Sequence, residues 1–161
     1  MIYISFVCLG NICRSPMAQI IFDKMVADGG YSATFKTSSF ATSTEEVGNG
    51  VYPPVKRLLE SKGYKADHVS RQIKKSDVIN SDYVFVMDSG NLFDLLRITG
   101  GAHGEKIFKL GSFLSPQKDI DDPWYTREFE RCYAEIYSAC KNLLAFLLEE
   151  HASSIIYDKY T

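Results

Sequence analysis

The sequence predicts an α/β fold: a single doubly wound domain with a four-stranded parallel sheet, helices on both faces and a phosphate-binding loop after the first strand. Three observations carry this reading. Four short runs rich in aromatic and β-branched residues, at 1–7, 33–39, 83–87 and 106–110, alternate with helical patterns. Strands separated by helices are joined by crossovers, which makes the sheet parallel and covers both of its faces. The 161 residues suit one core, and they contain no internal repeat, low-complexity stretch or linker, so one domain is expected over 1–161.

The elements follow in order. Met1-Ile2-Tyr3-Ile4-Ser5-Phe6-Val7 is an apolar run that reads as a buried strand, and Cys8-Leu9-Gly10-Asn11-Ile12-Cys13-Arg14-Ser15 leads from it into a helix. Ser15 is placed to cap that helix with Pro16 in its first turn, and Met17, Ile20, Ile21, Phe22 and Met25 give it an apolar face. Val55, Leu58 and Leu59 predict a helix that stops near Gly63; Leu92, Leu95 and Leu96 predict another that stops near Gly100-Gly101. The basic cluster Arg71-Gln72-Ile73-Lys74-Lys75 reads as a solvated helix end. The longest helix is expected over 126–150, with Phe129, Cys132, Tyr133, Ile136, Cys140, Leu143, Leu144 and Leu147 at helical spacing. Glu128 and Glu130 suit its positive end, Cys132 and Cys140 fall on its apolar face, and His103 and His151 read as surface residues. The closing Ile155-Ile156-Tyr157-Asp158-Lys159-Tyr160-Thr161 is either a short segment packed on the domain or a frayed tail.

Composition excludes several function classes. A net charge of -2 argues against a nucleic-acid binder, which works through a basic surface. No apolar run is long enough to span a bilayer, and Met1 leads straight into the first strand without a basic signal region. A chain with a real core does not need its four cysteines as disulfides, so reduced thiols and a cytoplasmic location are expected.

The chemistry concentrates in the first loop. A strand that turns into a helix through a tight loop aims backbone N–H groups and the positive end of the helix dipole at one spot, where an anion belongs. Cys8 at that spot is favoured as a thiolate nucleophile, and Arg14, with five residues between the two, offers a planar fork for two phosphate oxygens. Taken alone, Cys8 reads equally as a small hydrophobe ending a strand; Arg14 and the Gly10-Asn11 turn favour the nucleophile. Gly10 permits close backbone approach or positive φ, and Asn11 tolerates a left-handed conformation. Ser15 can also donate to the Cys8 sulfur and stabilise it as a leaving group. Cys13 is either an inert wall or a partner that traps an oxidised Cys8. A proton donor for a departing oxygen is offered by Asp122 in Asp119-Ile120-Asp121-Asp122-Pro123-Trp124-Tyr125, a loop that otherwise serves to neutralise a helix start. No cluster has metal-ligand spacing, and no glycine-lysine-Ser/Thr ending marks a nucleotide loop.

Val7-Cys8-Leu9-Gly10-Asn11-Ile12-Cys13-Arg14-Ser15-Pro16 resembles the phosphate-binding loop of the low-molecular-weight protein tyrosine phosphatases. The resemblance continues through Ala41-Thr42-Ser43-Thr44, His68-Val69-Ser70-Arg71-Gln72-Ile73, Met87-Asp88 and Asp122-Pro123-Trp124-Tyr125, in the family's order and over nearly the whole chain. It implies that Cys8 forms a phosphocysteine, that Arg14 and the loop N–H groups hold the equatorial oxygens, and that Asp122 is first acid and then base. It also implies a bracing network of Asn11, Ser15, Ser39 and His68. No metal or organic cofactor is implied. The expected partners are phosphotyrosine-containing proteins, with phosphate or other oxyanions as inhibitors, in a monomer or weak dimer.

Within that resemblance, Leu9, Trp124 and Tyr125 form apolar walls deep enough for an aromatic ring, and Ile12 fits the tyrosine-directed members. Relatives acting on phosphoarginine carry threonine at that position. The substrate is thus expected to meet Leu9, Gly10, Asn11, Ile12, Cys13, Ser15, Glu45, Trp124 and Tyr125. Glu45-Glu46 is a departure, since many members place an aromatic residue there; it predicts weaker binding of small aryl phosphates or a preference for basic residues near the phosphotyrosine. The rivals are a thiol-dependent arsenate reductase, a phosphoarginine phosphatase and a non-catalytic anion-binding module. The first needs relay cysteines, and none stands near Val86-Met87-Asp88-Ser89-Gly90.

Overall fold

The computed structural model describes residues 1–158. Its centre is β1 (Ile2–Cys8), buried except at Tyr3. Alternation sorts its side chains: Ile2, Ile4, Phe6 and Cys8 enter one apolar cluster and Val7 the other. With β2 (Phe35–Ala41), β3 (Tyr83–Val86) and β4 (Ile107–Lys109) it forms a four-stranded sheet in the order β2-β1-β3-β4, every pair parallel. The chain steps outward from β1 to β2 and then crosses back to β3. The order reverses between β1 and β3, and a crevice opens there at the carboxyl ends of the strands.

Helices cover both faces. α1 (Arg14–Gly29), α2 (Pro53–Ser61) and α6 (Phe129–Glu150) bury Phe22, Leu59, Ile136 and Leu143 against the Phe6 side. α3 (Lys75–Asn80) and α4 (Ser89–Ile98) bury Val78 and Leu95 against the Val7 side. α5 (Pro123–Thr126) is a single turn before α6.

Several expectations need correction. β2 starts at Phe35 rather than 33 and runs to Ala41, where a bridge to Gln72 extends its pairing. Ser15 does not cap α1. That helix begins at Arg14 after Cys13, with no side-chain cap bond, because the Ser15 hydroxyl is engaged by Cys8 and Asn11. The long helix starts at Phe129, not 126, because Arg127 adopts a left-handed φ of 62° and splits off α5. Of the cluster 71–75, only Lys74-Lys75 form a solvated helix end, at the start of α3, and 71–73 pass along the sheet edge. Gln72 pairs with Ala41, the Arg71 guanidinium lies 4.5 Å over the Phe40 ring, and Lys75 opens α3. His151 is half-buried and within 2.6 Å of the Tyr83 hydroxyl, and His103 is half-buried too. The C-terminal segment packs on the domain as far as Asp158, whose carboxylate accepts from Ser32 and Ala33 N–H. Residues 159–161, included in the expected 1–161 domain, lie outside the described residues. No helix among the described residues is long and apolar enough to cross a membrane.

Candidate active site

The loop between β1 and α1 closes around the Cys8 sulfur. Asn11 takes the left-handed conformation, φ 58°, and its N–H donates to Cys8 Sγ at 3.3 Å. Ser15 N–H donates to the same sulfur at 3.4 Å. Gly10 has an ordinary φ; its missing side chain matters because a β carbon there would lie 3.3 Å from Glu46 Cγ. The outward carbonyls are held too: Ser70 Oγ donates to Gly10 O at 2.8 Å, and Ser43 donates to Leu9 O through N–H at 3.1 Å and Oγ at 2.9 Å. With the N-terminus of α1 beside it, the sulfur sits among donors and in the positive end of a helix dipole.

Proton positions follow from what each atom can do. Asn11 Oδ1 accepts from Arg71 N–H at 3.3 Å, which fixes the orientation of the amide. Asn11 Nδ2 can then only donate, to Ser15 Oγ at 2.7 Å and Ser39 Oγ at 3.1 Å. With its oxygen already accepting, Ser15 is free to donate its own hydrogen to Cys8 Sγ, 3.0 Å away. His68 Nε2, 2.7 Å from Asn11 Oδ1, carries its proton for the same reason. Burial, and to a lesser extent the Arg71 charge, holds the His68 pKa below its ordinary value and favours the neutral ring. Ser39 and His68 therefore stand behind the loop and outside the cleft.

Arg14 is buried, 2% exposed, and reaches across the sheet edge. Nη1 donates to Asp88 Oδ2 at 2.7 Å and to Ile120 O at 2.9 Å, and Nη2 lies 3.4 Å from Asp122 Oδ2. Burial works against its charge, yet Cys8, Asp88 and Asp122 outweigh it and raise the arginine pKa further. Its Nε has no partner among the described residues. A buried donor without an acceptor is costly, and an anion held in the loop would meet it. Asp122 serves two purposes: besides facing Arg14, its Oδ1 accepts from Trp124 N–H at 3.0 Å and caps α5.

Above these groups lies a cleft of about 130 Å³, with Leu9, Ile12, Trp124 and Tyr125 on its walls and Glu45 and Glu46 on its rim. The aromatic wall is held from behind: the Trp124 and Tyr52 rings are 4.7 Å apart, and Arg127 Nη1 donates to the Tyr52 hydroxyl at 3.0 Å. Cys13 also lines the cleft; burial, and then Cys8 and Asp122, push its thiol far up, so it is protonated. Cys132, under the same loops, is pushed up to about 12 by burial, and all four cysteines are free thiols. Among the described residues, no three His, Cys, Asp or Glu side chains converge as they would around a metal ion.

Sequence reasoning missed several contributors. Asp88 is the main one: it holds Arg14 and also caps α4 by accepting from Asn91 N–H at 2.8 Å. Its signal was a carboxylate directly after an apolar strand at the switch point. Ser43, Ser70 and Tyr52 show their relation to the loop only in three dimensions.

A family model described as low molecular weight phosphotyrosine protein phosphatase matches residues 3–153. The Rattus norvegicus protein named low molecular weight phosphotyrosine protein phosphatase is 42% identical over 155 residues, covering 91% of this chain and 94% of its own. The crystal structure of YfkJ from Bacillus subtilis superposes with a TM-score of 0.90 at 33% identity, covering 94% of this chain and 97% of that one. A Drosophila arginine phosphatase superposes with a TM-score of 0.82 at 29% identity, covering 89% of this chain and 96% of that one.

Proposed function

The chain belongs to the low molecular weight phosphotyrosine protein phosphatase family, and from that premise we propose that it hydrolyses phosphotyrosine and aryl phosphate monoesters through a phosphocysteine. The observation that carries the reading is the convergence on one cleft of a donor-ringed sulfur, a buried guanidinium with an unpaired Nε, and a carboxylate.

The Cys8 thiolate attacks phosphorus in line as the bond to the phenolic oxygen breaks. Arg14 and the loop N–H groups hold the equatorial oxygens, where the transition-state charge lies. Protonated Asp122 gives its proton to the departing phenolate. As carboxylate it then takes a proton from water; the water oxygen attacks phosphorus and the S–P bond breaks. The Ser15 hydroxyl, aimed at Sγ, stabilises the thiolate that leaves. In the first half-reaction the neutral Cys13 thiol adds no charge beside the dianionic substrate.

The Drosophila relative makes phosphoarginine the second reading. Ile12 favours phosphotyrosine: it lines the cleft and offers a substrate guanidinium no side-chain hydrogen bond, while Trp124 and Tyr125 suit a ring. Phosphoproteins are thus the partners, phosphate and other oxyanions the competitive inhibitors. A thiolate enzyme suits a reducing compartment such as the cytoplasm. The chain acts as one domain over 1–161, as a monomer or weak dimer. The test is p-nitrophenyl phosphate hydrolysis by wild type, Cys8→Ser and Asp122→Ala. Cys8→Ser is expected to be inactive and Asp122→Ala strongly impaired; turnover surviving Cys8→Ser overturns the covalent mechanism.

A further inference from the structure

The carboxylate facing Arg14 is delivered by a segment that is itself tied down three residues earlier. After β4 the chain turns through Leu110–Phe113 and then doubles back over that turn. Lys118 N–H donates to Gly111 O at 3.3 Å, and a β carbon on Gly111 would fall 1.7 Å from Lys118 O, so the two backbones touch. Directly beyond this crossing, Asp119 turns its side chain to the start of α4. Its Oδ2 accepts the Ser89 N–H at 3.1 Å and the Ser89 hydroxyl at 3.3 Å, while its Oδ1 pairs with Lys109 Nζ at 3.0 Å. Lys109, the last residue of β4, closes the ring by donating to Ser89 Oγ at 2.6 Å.

Ser89 follows Asp88, the carboxylate that holds Arg14 Nη1. Ile120 follows Asp119 and is bonded on both sides, N–H to Met87 O at 2.9 Å and O to Arg14 Nη1 at 2.9 Å. Thus 119–120 is laid against 87–89 and the free reach to Asp122 is two residues. The Lys109–Asp119 pair is about a third exposed on both sides, so as an isolated ion pair it adds little stability. Its ring of bonds does fix a direction, because each member constrains the other two.

We infer that Asp119, held by Lys109 and Ser89, is a positioning residue that sets the Asp122 carboxyl over the departing oxygen. This rests on the reading of Asp122 as the acid. The step served is the transfer of the Asp122 proton to the phenolic oxygen as the O–P bond breaks; Asp119 neither lines the cleft nor touches substrate. A displacement of about 1 Å in such a group can cost as much as ~10²-fold in rate. The loss should be largest for leaving groups that need the proton most.

The experiment compares kcat/KM for phenyl phosphate and p-nitrophenyl phosphate in wild type, Asp122→Asn, Asp119→Asn, Lys109→Met and the double variant of 109 and 119. Inhibition by inorganic phosphate reports the anion loop. Asp119→Asn is expected to lose about 10-fold on phenyl phosphate, clearly less on p-nitrophenyl phosphate, and to keep the inhibition constant for phosphate. Lys109→Met should behave alike, the double variant no worse than either single one, and Lys109→Arg should stay near wild type. Ser89→Ala removes only the hydroxyl and serves if Asp119→Asn folds poorly. If Asp122→Asn shifts the substrate ratio and neither Asp119→Asn nor Ser89→Ala does, the positioning role is overturned while the acid stands. If Asp122→Asn leaves the ratio unchanged, the acid reading fails and the positioning role falls with it.

Discussion

Replacing Asn11 by alanine removes both Nδ2 donations, to Ser15 and Ser39, and both bonds to Oδ1, from His68 and Arg71. Asn11 is fully buried, so water does not replace them all. A buried polar group left without its partner costs about 1–3 kcal/mol. Ser15 is the group most affected: its buried hydroxyl oxygen loses the Asn11 donor at 2.7 Å, while its own hydrogen keeps Cys8 Sγ at 3.0 Å as acceptor. His68 is half-buried and recovers part of its loss from water. Together these bonds are worth about 3 kcal/mol. Alanine must also hold the left-handed φ of 58°, which costs about 1 kcal/mol more. Asn11→Ala should therefore destabilise by about 4 kcal/mol and Asn11→Gly, free of the φ penalty, by about 3 kcal/mol. Urea unfolding followed by fluorescence gives both values. A loss below about 1 kcal/mol for alanine would mean that the network holds no net energy. Equal losses for alanine and glycine would refute the conformational part of the reasoning.

Other outcomes follow from the same geometry. Gly111→Ala should cost about 3 kcal/mol, because its methyl group meets the Lys118 carbonyl and the backbone must shift; thermal unfolding checks it, and an unchanged Tm contradicts the close crossing. The fold lowers the His68 pKa, so the unfolded chain takes up the proton first as pH falls. Its contribution to stability is whole above the unfolded value of about 6.5 and is lost below it; urea midpoints between pH 7.5 and 5.5 should fall more steeply in wild type than in His68→Asn. Glu45 on the rim should favour phosphopeptides with flanking basic residues over acidic ones, and Glu45→Tyr should narrow that preference by roughly 5-fold, equivalent to about 1 kcal/mol of charge interaction. An unchanged ratio of kcat/KM values sinks the role of Glu45.

Strand and helix types were legible because burial imposes periodicity: Ile4, Phe6 and Val7 had to serve two apolar faces, and Ile136 and Leu143 had to meet α1. The loop was legible because the groups that hold Cys8 Sγ lie within seven positions of it. What failed had tertiary causes. A serine before proline looks like a cap, but the Ser15 hydroxyl has a better partner in the sulfur. The left-handed turn at Arg127 that divides α5 from α6 accompanies its reach to Tyr52, 75 positions away. α3 has six residues, of which only Val78 is buried, too few to show a period. Asp88 stands 74 positions from Arg14, and only the crossover from β1 to β3 puts them side by side.

The proposed mechanism turns on a covalent bond between phosphorus and the Cys8 sulfur. Its most direct test is rapid acid quench of turning-over enzyme, followed by peptide mass spectrometry. Asp122→Asn with p-nitrophenyl phosphate suits it, since that leaving group needs little protonation and the intermediate then lacks its base. A phosphoryl group is expected on the peptide containing Cys8, appearing with the first turnover and absent from Cys8→Ser. A burst of p-nitrophenolate with no phosphoryl adduct, or an adduct on another residue, would contradict the mechanism.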